Sequence, residues 1–163
     1  MEVEIIDNFL DKKTFKTLQQ TLLAEDFPWY VYHGVTERKA PFDGPNYSFM
    51  HLLYQNAEPN SDFFKVIAPF LDKLDITAIF RIKANLYPKT PEIVEHDLHS
   101  DAKISHKGAL LCLNTNDGYT YMEDGQKIQS VENRVIRFNP SLLHGSTTCT
   151  NENYRVNVLV NYF

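Results

Sequence analysis

From Ala78 to the C-terminus the chain breaks into short apolar and aromatic runs separated by turn residues, and this pattern most constrains the fold. Strands are expected over 79–87, 93–99, 108–113, 118–123, 126–130, 133–138, 142–144 and 154–162. The breaks between them are Pro88–Pro91, Asn116-Asp117-Gly118, Asp124-Gly125 and Asn139-Pro140. Asp-Gly between two alternating runs is a strong hairpin signal. Many short, closely spaced strands fit a double-sheet jelly roll or barrel.

The first 77 residues read differently. Val3–Ile6 is an opening strand, and Asp11 starts a helix carrying Phe15, Leu18, Leu22 and Leu23 at helical spacing, stopped by Pro28. Trp29–Tyr32 reads as a strand, and 33–47, with Gly34, Pro41, Gly44 and Pro45, reads as a loop. A second helix is expected from Ser61, with Asp62 in its first turn and Phe63, Phe64, Ile67, Phe70, Leu71 and Leu74 along it. The expected organisation is one α+β, mainly β domain over 1–163, with 1–77 mostly helical support and loop and 78–163 the jelly-roll core.

Charge and cysteine content remove several function classes. The net charge is -5 and the pI about 5.6, with the basic residues scattered, so a nucleic-acid partner is disfavoured. Cys112 and Cys149 have no partner spacing for a zinc site or disulfide framework and read as small buried residues. The start, Met-Glu-Val-Glu-Ile-Ile-Asp, has neither the basic region nor the apolar run of a signal peptide, and no stretch is long enough to span a membrane. A cytoplasmic location is expected, with no membrane partner; the oligomeric state is open.

Chemistry is suggested first by His99-Ser100-Asp101. On a strand, residues i and i+2 share a face, so the imidazole and carboxylate reach one ion. Chance supplies such a pair often. His144, far along the chain in the strand-rich region, completes two His and one carboxylate, the facial set suited to non-haem iron(II) with open positions for substrates. Arg155-Val156-Asn157 follows. A turn at Asn151–Asn153 makes 142–149 and 154–162 a hairpin with Arg155 opposite Thr148, roughly 13 Å along the strand from His144. An extended five-carbon diacid and an arginine fork span that gap. Asn85 and Tyr87 share a face just upstream and offer an amide and a phenol. His96 falls on the opposite strand face from His99, at the surface or behind the ligands, and His106 falls in a turn; His33 and His51 lie in the N-terminal half.

The order Asn85-x-Tyr87, His99-x-Asp101, His144, Arg155-x-Asn157 resembles the signature of the 2-oxoglutarate and iron(II)-dependent dioxygenase superfamily. More narrowly, the chain is similar to compact phage and bacterial prolyl-hydroxylase-like oxygenases. The shared strings are Ile5-Ile6-Asp7-Asn8-Phe9-Leu10, Phe27-Pro28-Trp29-Tyr30, Leu113–Thr120 and Asn133-Arg134 before Phe138. This resemblance implies a double-stranded β-helix (jelly roll, cupin-like) with N-terminal supporting helices. It implies Fe(II) on His99, Asp101 and His144 and 2-oxoglutarate as cosubstrate. Arg155 would grip the distal carboxylate, Asn157 and Tyr87 would assist, and Asn85 would bond the C1 end. The implied reaction consumes dioxygen, releases succinate and CO2, and hydroxylates a C–H bond of a peptide or small molecule, with ascorbate as an activator; a phage-encoded member would work in the host cytoplasm.

The chain departs from prolyl hydroxylases in two places. They commonly carry a Tyr on the strand that here reads Leu110-Leu111-Cys112-Leu113, and a Lys where Arg155 stands. Two alternatives stay open. One is a catalytically inactive jelly-roll protein that binds a metal or ligand. The other is an AlkB-like nucleic-acid demethylase, to which the Asn-x-Tyr and Arg-x-Asn pairs are also similar, against the acidic balance. Specificity is expected in the loops 33–47, 88–95 and 115–126.

Overall fold

The structure, a computed structural model, describes residues 2–33 and 47–163. Most of the loop expected over 33–47 lies outside the described residues. Two antiparallel sheets face each other. The larger contains β1 (Glu4–Ile6), β2 (Tyr30–His33), β3 (Tyr47–Gln55), β4 (Glu58–Pro59), β5 (Ile79–Pro88) and β6 (Lys107–Cys112), with β9 (Val135–Phe138) and β11 (Tyr154–Tyr162). Its order is β1-β9-β6-β11-β5-β3-β2, with β4 beside β3. The smaller sheet runs β10-β7-β8, from β7 (Tyr119–Met122), β8 (Lys127–Gln129) and β10 (His144–Ser146). Consecutive β9, β10 and β11 alternate between the sheets, as in a jelly roll.

Strand alternation sorts the side chains of the large sheet into two sets. Ile82 and Ala84 of β5, Leu111 of β6 and Val156, Val158 and Val160 of β11 point to one face. There they pack on α1 (Lys12–Leu22) and on a 3-10 turn, Asp62–Ile67, that runs into α2 (Ala68–Leu71). Helix α1 forms because Asp11 caps it, accepting from the Thr14 N–H at 3.0 Å, and because Phe15, Leu18 and Leu22 line up on one buried stripe. The opposite face of the sheet meets the small sheet through Leu110, Cys112, Met122, Ile128, Ile136, Phe138 and Leu159. Both cysteines are buried and free.

Several expected boundaries move. Helix α1 ends at Leu22, well before Pro28, and the second helix is a 3-10 turn with only four α-helical residues after it. The described part of residues 1–77 contributes four strands, β1 to β4, beyond the expected mostly helical support and loop. The expected hairpin of 142–149 with 154–162 does not form: β10 pairs with β7, and β11 runs between β5 and β6. Asp117 explains part of this, because it accepts from the Thr150 N–H at 2.7 Å while its own N–H donates to Asn151 Oδ1 at 3.0 Å. The turn is thereby tied to the loop entering β7, and the chain crosses between sheets. Arg155 lies opposite Tyr87, not Thr148.

The strand expected over 93–99 is also absent. That segment crosses the small sheet through two isolated bridges, Glu95 with Thr147 and His99 with His144. Backbone bonds from the Thr148 N–H to the Val94 carbonyl and from the His96 N–H to the Ser146 carbonyl alternate with side-chain ones: the Val94 N–H donates to Thr148 Oγ1 at 2.9 Å, and the Tyr121 hydroxyl donates to the His96 carbonyl. Among the described residues no helix is long and apolar enough to cross a membrane.

Candidate metal and cosubstrate site

His99 and His144 are locked opposite each other by their backbones. Each N–H donates to the other's carbonyl, at 2.9 and 3.0 Å, and the rings stand 4.7 Å apart. Asp101 follows two residues later, its N–H bonded to the Pro140 carbonyl at 2.8 Å. One ligand atom from each of the three lies within 4.8 Å of the others, and among the described residues this is the group able to hold a metal. The i and i+2 relation of His99 and Asp101 therefore holds without a regular strand.

The donor set suits a divalent ion. The His99 and His144 Nδ1 atoms face their chain's own carbonyls, Asp97 at 3.2 Å and Leu142 at 3.0 Å, which places the proton on Nδ1 and leaves each Nε2 lone pair available. Burial pushes the His144 imidazole down to about 4, and burial lowers His99 as well, so both rings are neutral near pH 7. Burial would raise the Asp101 carboxyl, but the Lys83 and Arg81 cations and the Asn161 amide override it and hold it at about 2. Two neutral imidazoles and one carboxylate, all hard or borderline donors, fit iron(II) or manganese(II).

The cavity beside these residues has a volume of about 360 Å³. Its wall is built from the inward positions of β5 and β11. Arg81, Lys83, Asn85 and Tyr87 alternate along β5, and Asn157 and Leu159 face them from β11. Asn85 Nδ2 donates to Asn157 Oδ1 at 2.9 Å, which leaves the buried Asn157 Nδ2 without a partner. A buried donor of that kind is costly unless a ligand meets it.

Arg155 is fully buried, with 0% exposure. Its guanidinium donates to Ser130 Oγ at 2.7 Å, the Thr147 carbonyl at 3.1 Å and Thr120 Oγ1 at 2.8 Å, and stacks 5.4 Å from the Tyr87 ring. It does not line the cavity itself; Thr120 and Tyr87, which it touches, do. No described carboxylate pairs with it. A buried, unpaired charge costs several kcal/mol and is kept where an anion comes to it. Gly118 gives the side chain room, since a Cβ there would lie 2.8 Å from Arg155 Cδ.

All seven residues expected from sequence, His99, Asp101, His144, Arg155, Asn157, Tyr87 and Asn85, thus gather around one cavity, Arg155 behind its wall. Sequence reasoning missed Arg81, Lys83 and Asn161, although the period-two series 81, 83, 85, 87 extends the Asn85-x-Tyr87 pair backwards along one face. His96 is also not a surface residue. It is buried, bonded from Nδ1 to Ser146 Oγ at 2.9 Å and packed 5.3 Å from Tyr87, and burial together with the Arg155 charge pushes it down to about 4.

His96 and His144 hold their protons less tightly folded, at about 4, than in an unfolded chain, at about 6.5. Their contribution to stability is complete above pH 6.5 and is lost as pH falls from there towards 4, where the unfolded state binds more protons. Urea unfolding of the metal-free protein should show a lower midpoint at pH 5 than at pH 7.5; equal midpoints would contradict these assignments. A second prediction concerns Gly145, where a Cβ would run into the Tyr121 ring. Gly145→Ala must displace Tyr121 and its bond to the His96 carbonyl, or shift His144. We expect a loss of about 1–3 kcal/mol in stability, read by urea melts, and weaker metal binding.

No family model matches the sequence, and no curated protein does. Solved structures do match the fold. A viral collagen prolyl hydroxylase from Paramecium Bursaria Chlorella virus-1, in complex with 2-oxoglutarate, is 12% identical with a TM-score of 0.65, over 99% of this chain and 95% of that one. A Pseudomonas putida prolyl-4-hydroxylase is 14% identical with a TM-score of 0.63, over 98% and 91%. A Trichoplax adhaerens prolyl hydroxylase, in complex with a hypoxia inducible factor peptide fragment, is 14% identical with a TM-score of 0.68, over 98% and 83%. At these low identities the likeness is one of fold: the chain folds as these prolyl hydroxylases do.

Proposed function

We propose that this chain is a 2-oxoglutarate- and Fe(II)-dependent dioxygenase that hydroxylates a C–H bond of a peptide or small-molecule substrate, its 163 residues acting as one oxygenase domain. The observation that carries this is the joint presence, at one cavity, of the His99–Asp101–His144 cluster and the buried, unpaired Arg155 cation behind it. A metal cluster alone would suit many proteins. A metal cluster beside a cation waiting for a carboxylate suits a diacid cosubstrate.

His99, Asp101 and His144 hold the iron, their rings fixed by the Nδ1 bonds and by the reciprocal backbone pair. Arg155 binds the distal carboxylate of 2-oxoglutarate, with the Thr120 hydroxyl, the Tyr87 phenol and the free Asn157 amide N–H beside it. Asn85 orients Asn157 and faces the C1 end. Iron with 2-oxoglutarate and dioxygen supplies the oxidising chemistry: one oxygen atom leaves in succinate, formed with CO2, and the other enters the C–H bond as hydroxyl. Leu110 and Leu159 in the wall limit water there. Leu110 and Cys112 occupy the inward positions of β6, so that strand offers no phenol to the cosubstrate.

Succinate formation from 2-oxoglutarate, with Fe(II) and ascorbate, tests this reading. The wild-type protein should form succinate slowly without a substrate and faster with the right one, and His144→Ala should form none. No succinate from folded, iron-supplied protein across peptide and small-molecule candidates would overturn it.

A further inference from the structure

Two cations share the cavity with the metal cluster. Arg81 Nη2 lies 2.9 Å from Asp101 Oδ1, and Lys83 Nζ lies 3.9 Å from the same oxygen. Asn161 Nδ2 already bonds the other oxygen at 2.9 Å. Asp101 thus has two oxygens and, once a metal is included, four claimants. The metal and Asn161 suffice to fix the carboxylate. Both cationic side chains line the cavity and are 22% exposed, and the buried Arg81 Nε has no partner.

Charge strengthens the case. The cavity collects Arg81 and Lys83, with Arg155 behind it, in a chain whose net charge is -5. Among the described lining residues, with iron(II), the 2-oxoglutarate dianion and Asp101 included, positive charge still exceeds negative. A site of this kind favours an anion and disfavours a neutral or cationic group. The cavity, about 360 Å³, is at the small end for a ligand site, and cosubstrate takes part of it. What remains suits one side chain or one compact acid.

We propose that Arg81 and Lys83 are specificity residues that hold a carboxylate of the substrate, so that the hydroxylated carbon belongs to a carboxylate-bearing molecule, either a free acid or an acidic residue of a peptide. This rests on the oxygenase reading of the same site. Arg81 supplies a fork for a carboxylate and Lys83 a point charge beside it. Asp101 holds both cations near the metal until the substrate arrives.

Calorimetric titration of the full chain, loaded with Mn(II) and 2-oxoglutarate, tests this. The probes are L-aspartate and L-glutamate, their amides L-asparagine and L-glutamine, and capped tripeptides with a central Asp, Glu, Asn or Gln. An acidic probe should bind at least about tenfold tighter than its amide, and Arg81→Gln with Lys83→Met, titrated at saturating Mn(II) and 2-oxoglutarate, should erase that preference. Preference among free amino acids assigns a free acid, and preference among peptides assigns a peptide; either supports the proposal. Equal binding of acid and amide, no binding of any acidic probe, or variants that keep the preference would overturn it. Failure of the wild type to bind Mn(II) and 2-oxoglutarate would instead overturn the oxygenase reading.

Discussion

Replacing Arg155 with methionine should weaken 2-oxoglutarate binding by about 100-fold or more, close to 3 kcal/mol, because the distal carboxylate would enter a buried site without its counter-charge. Metal binding should survive, since Arg155 touches none of His99, Asp101 or His144. The stability of the variant separates this from general damage. In the metal-free protein Arg155 is a desolvated cation without an anion, so a hydrophobic replacement removes a charge penalty while giving up three hydrogen bonds. The variant's melting temperature should stay near the wild-type value, and the rise that 2-oxoglutarate causes in the Mn(II)-loaded wild type should vanish. Arg155→Lys keeps the charge and cannot reach Ser130, Thr147 and Thr120 together, so its affinity should fall in between. Undiminished 2-oxoglutarate binding by Arg155→Met would remove the residue from the cosubstrate site.

The second large effect belongs to Asp101. Asp101→Ala should lower metal affinity at least about 100-fold, since it takes away a ligand where even a supporting residue costs 10–100-fold. It should also destabilise the metal-free protein by about 1–3 kcal/mol, because Arg81, Lys83 and the Asn161 amide lose their shared acceptor. These two losses have separate origins, and a double variant divides them. Adding Lys83→Met to Asp101→Ala removes one stranded cation and should restore part of the stability without restoring the metal. Urea melts and Mn(II) titration of the two variants read both quantities. Full stability in Asp101→Ala would mean that Arg81 and Lys83 do not depend on the carboxylate.

Much of this arrangement was legible in the sequence because it lies on regular strands. Strands β5 and β11 were placed within a residue, since their alternation survives in the pattern: small or branched apolar residues on the helix side, Asn, Tyr and Arg on the cavity side. The Asp124-Gly125 hairpin between β7 and β8 formed as expected, with Gly125 at a φ of 86°. Failures cluster where side chains replace backbone pairing. The segment 93–99 has strand-like residues and keeps some backbone pairs with 144–148, but the Thr148 and Tyr121 side chains take the Val94 N–H and the His96 carbonyl, and only isolated bridges form. Strand β3 was hidden because a register shift between Leu52 and Tyr54 breaks its alternation. The turn at Asn151–Asn153 looked like a hairpin, and only the tie to Asp117 shows it as a crossing between sheets.

The site had the same limits. The candidate ligands were named from order and residue type and come together in the fold, but the partners of Asp101 could not be read, because Arg81, Lys83 and Asn161 come from two strands that meet only in the folded sheet. Arg155 was matched to a diacid through a hairpin that does not exist. Its position beside the cavity comes instead from direct pairing of β11 with β5, which sets Arg155 against Tyr87 and Asn157 against Asn85.

An oxygenase site here would hold one iron and one 2-oxoglutarate together at His99, Asp101 and His144, with Arg155 nearby. Its most direct test is the anaerobic visible spectrum of the protein titrated first with Fe(II) and then with 2-oxoglutarate. A charge-transfer band should grow to saturation at one 2-oxoglutarate per iron, be missing in Asp101→Ala and need far more 2-oxoglutarate in Arg155→Met. Folded wild-type protein that retains no iron, or that binds iron and gives no band with 2-oxoglutarate, would contradict it.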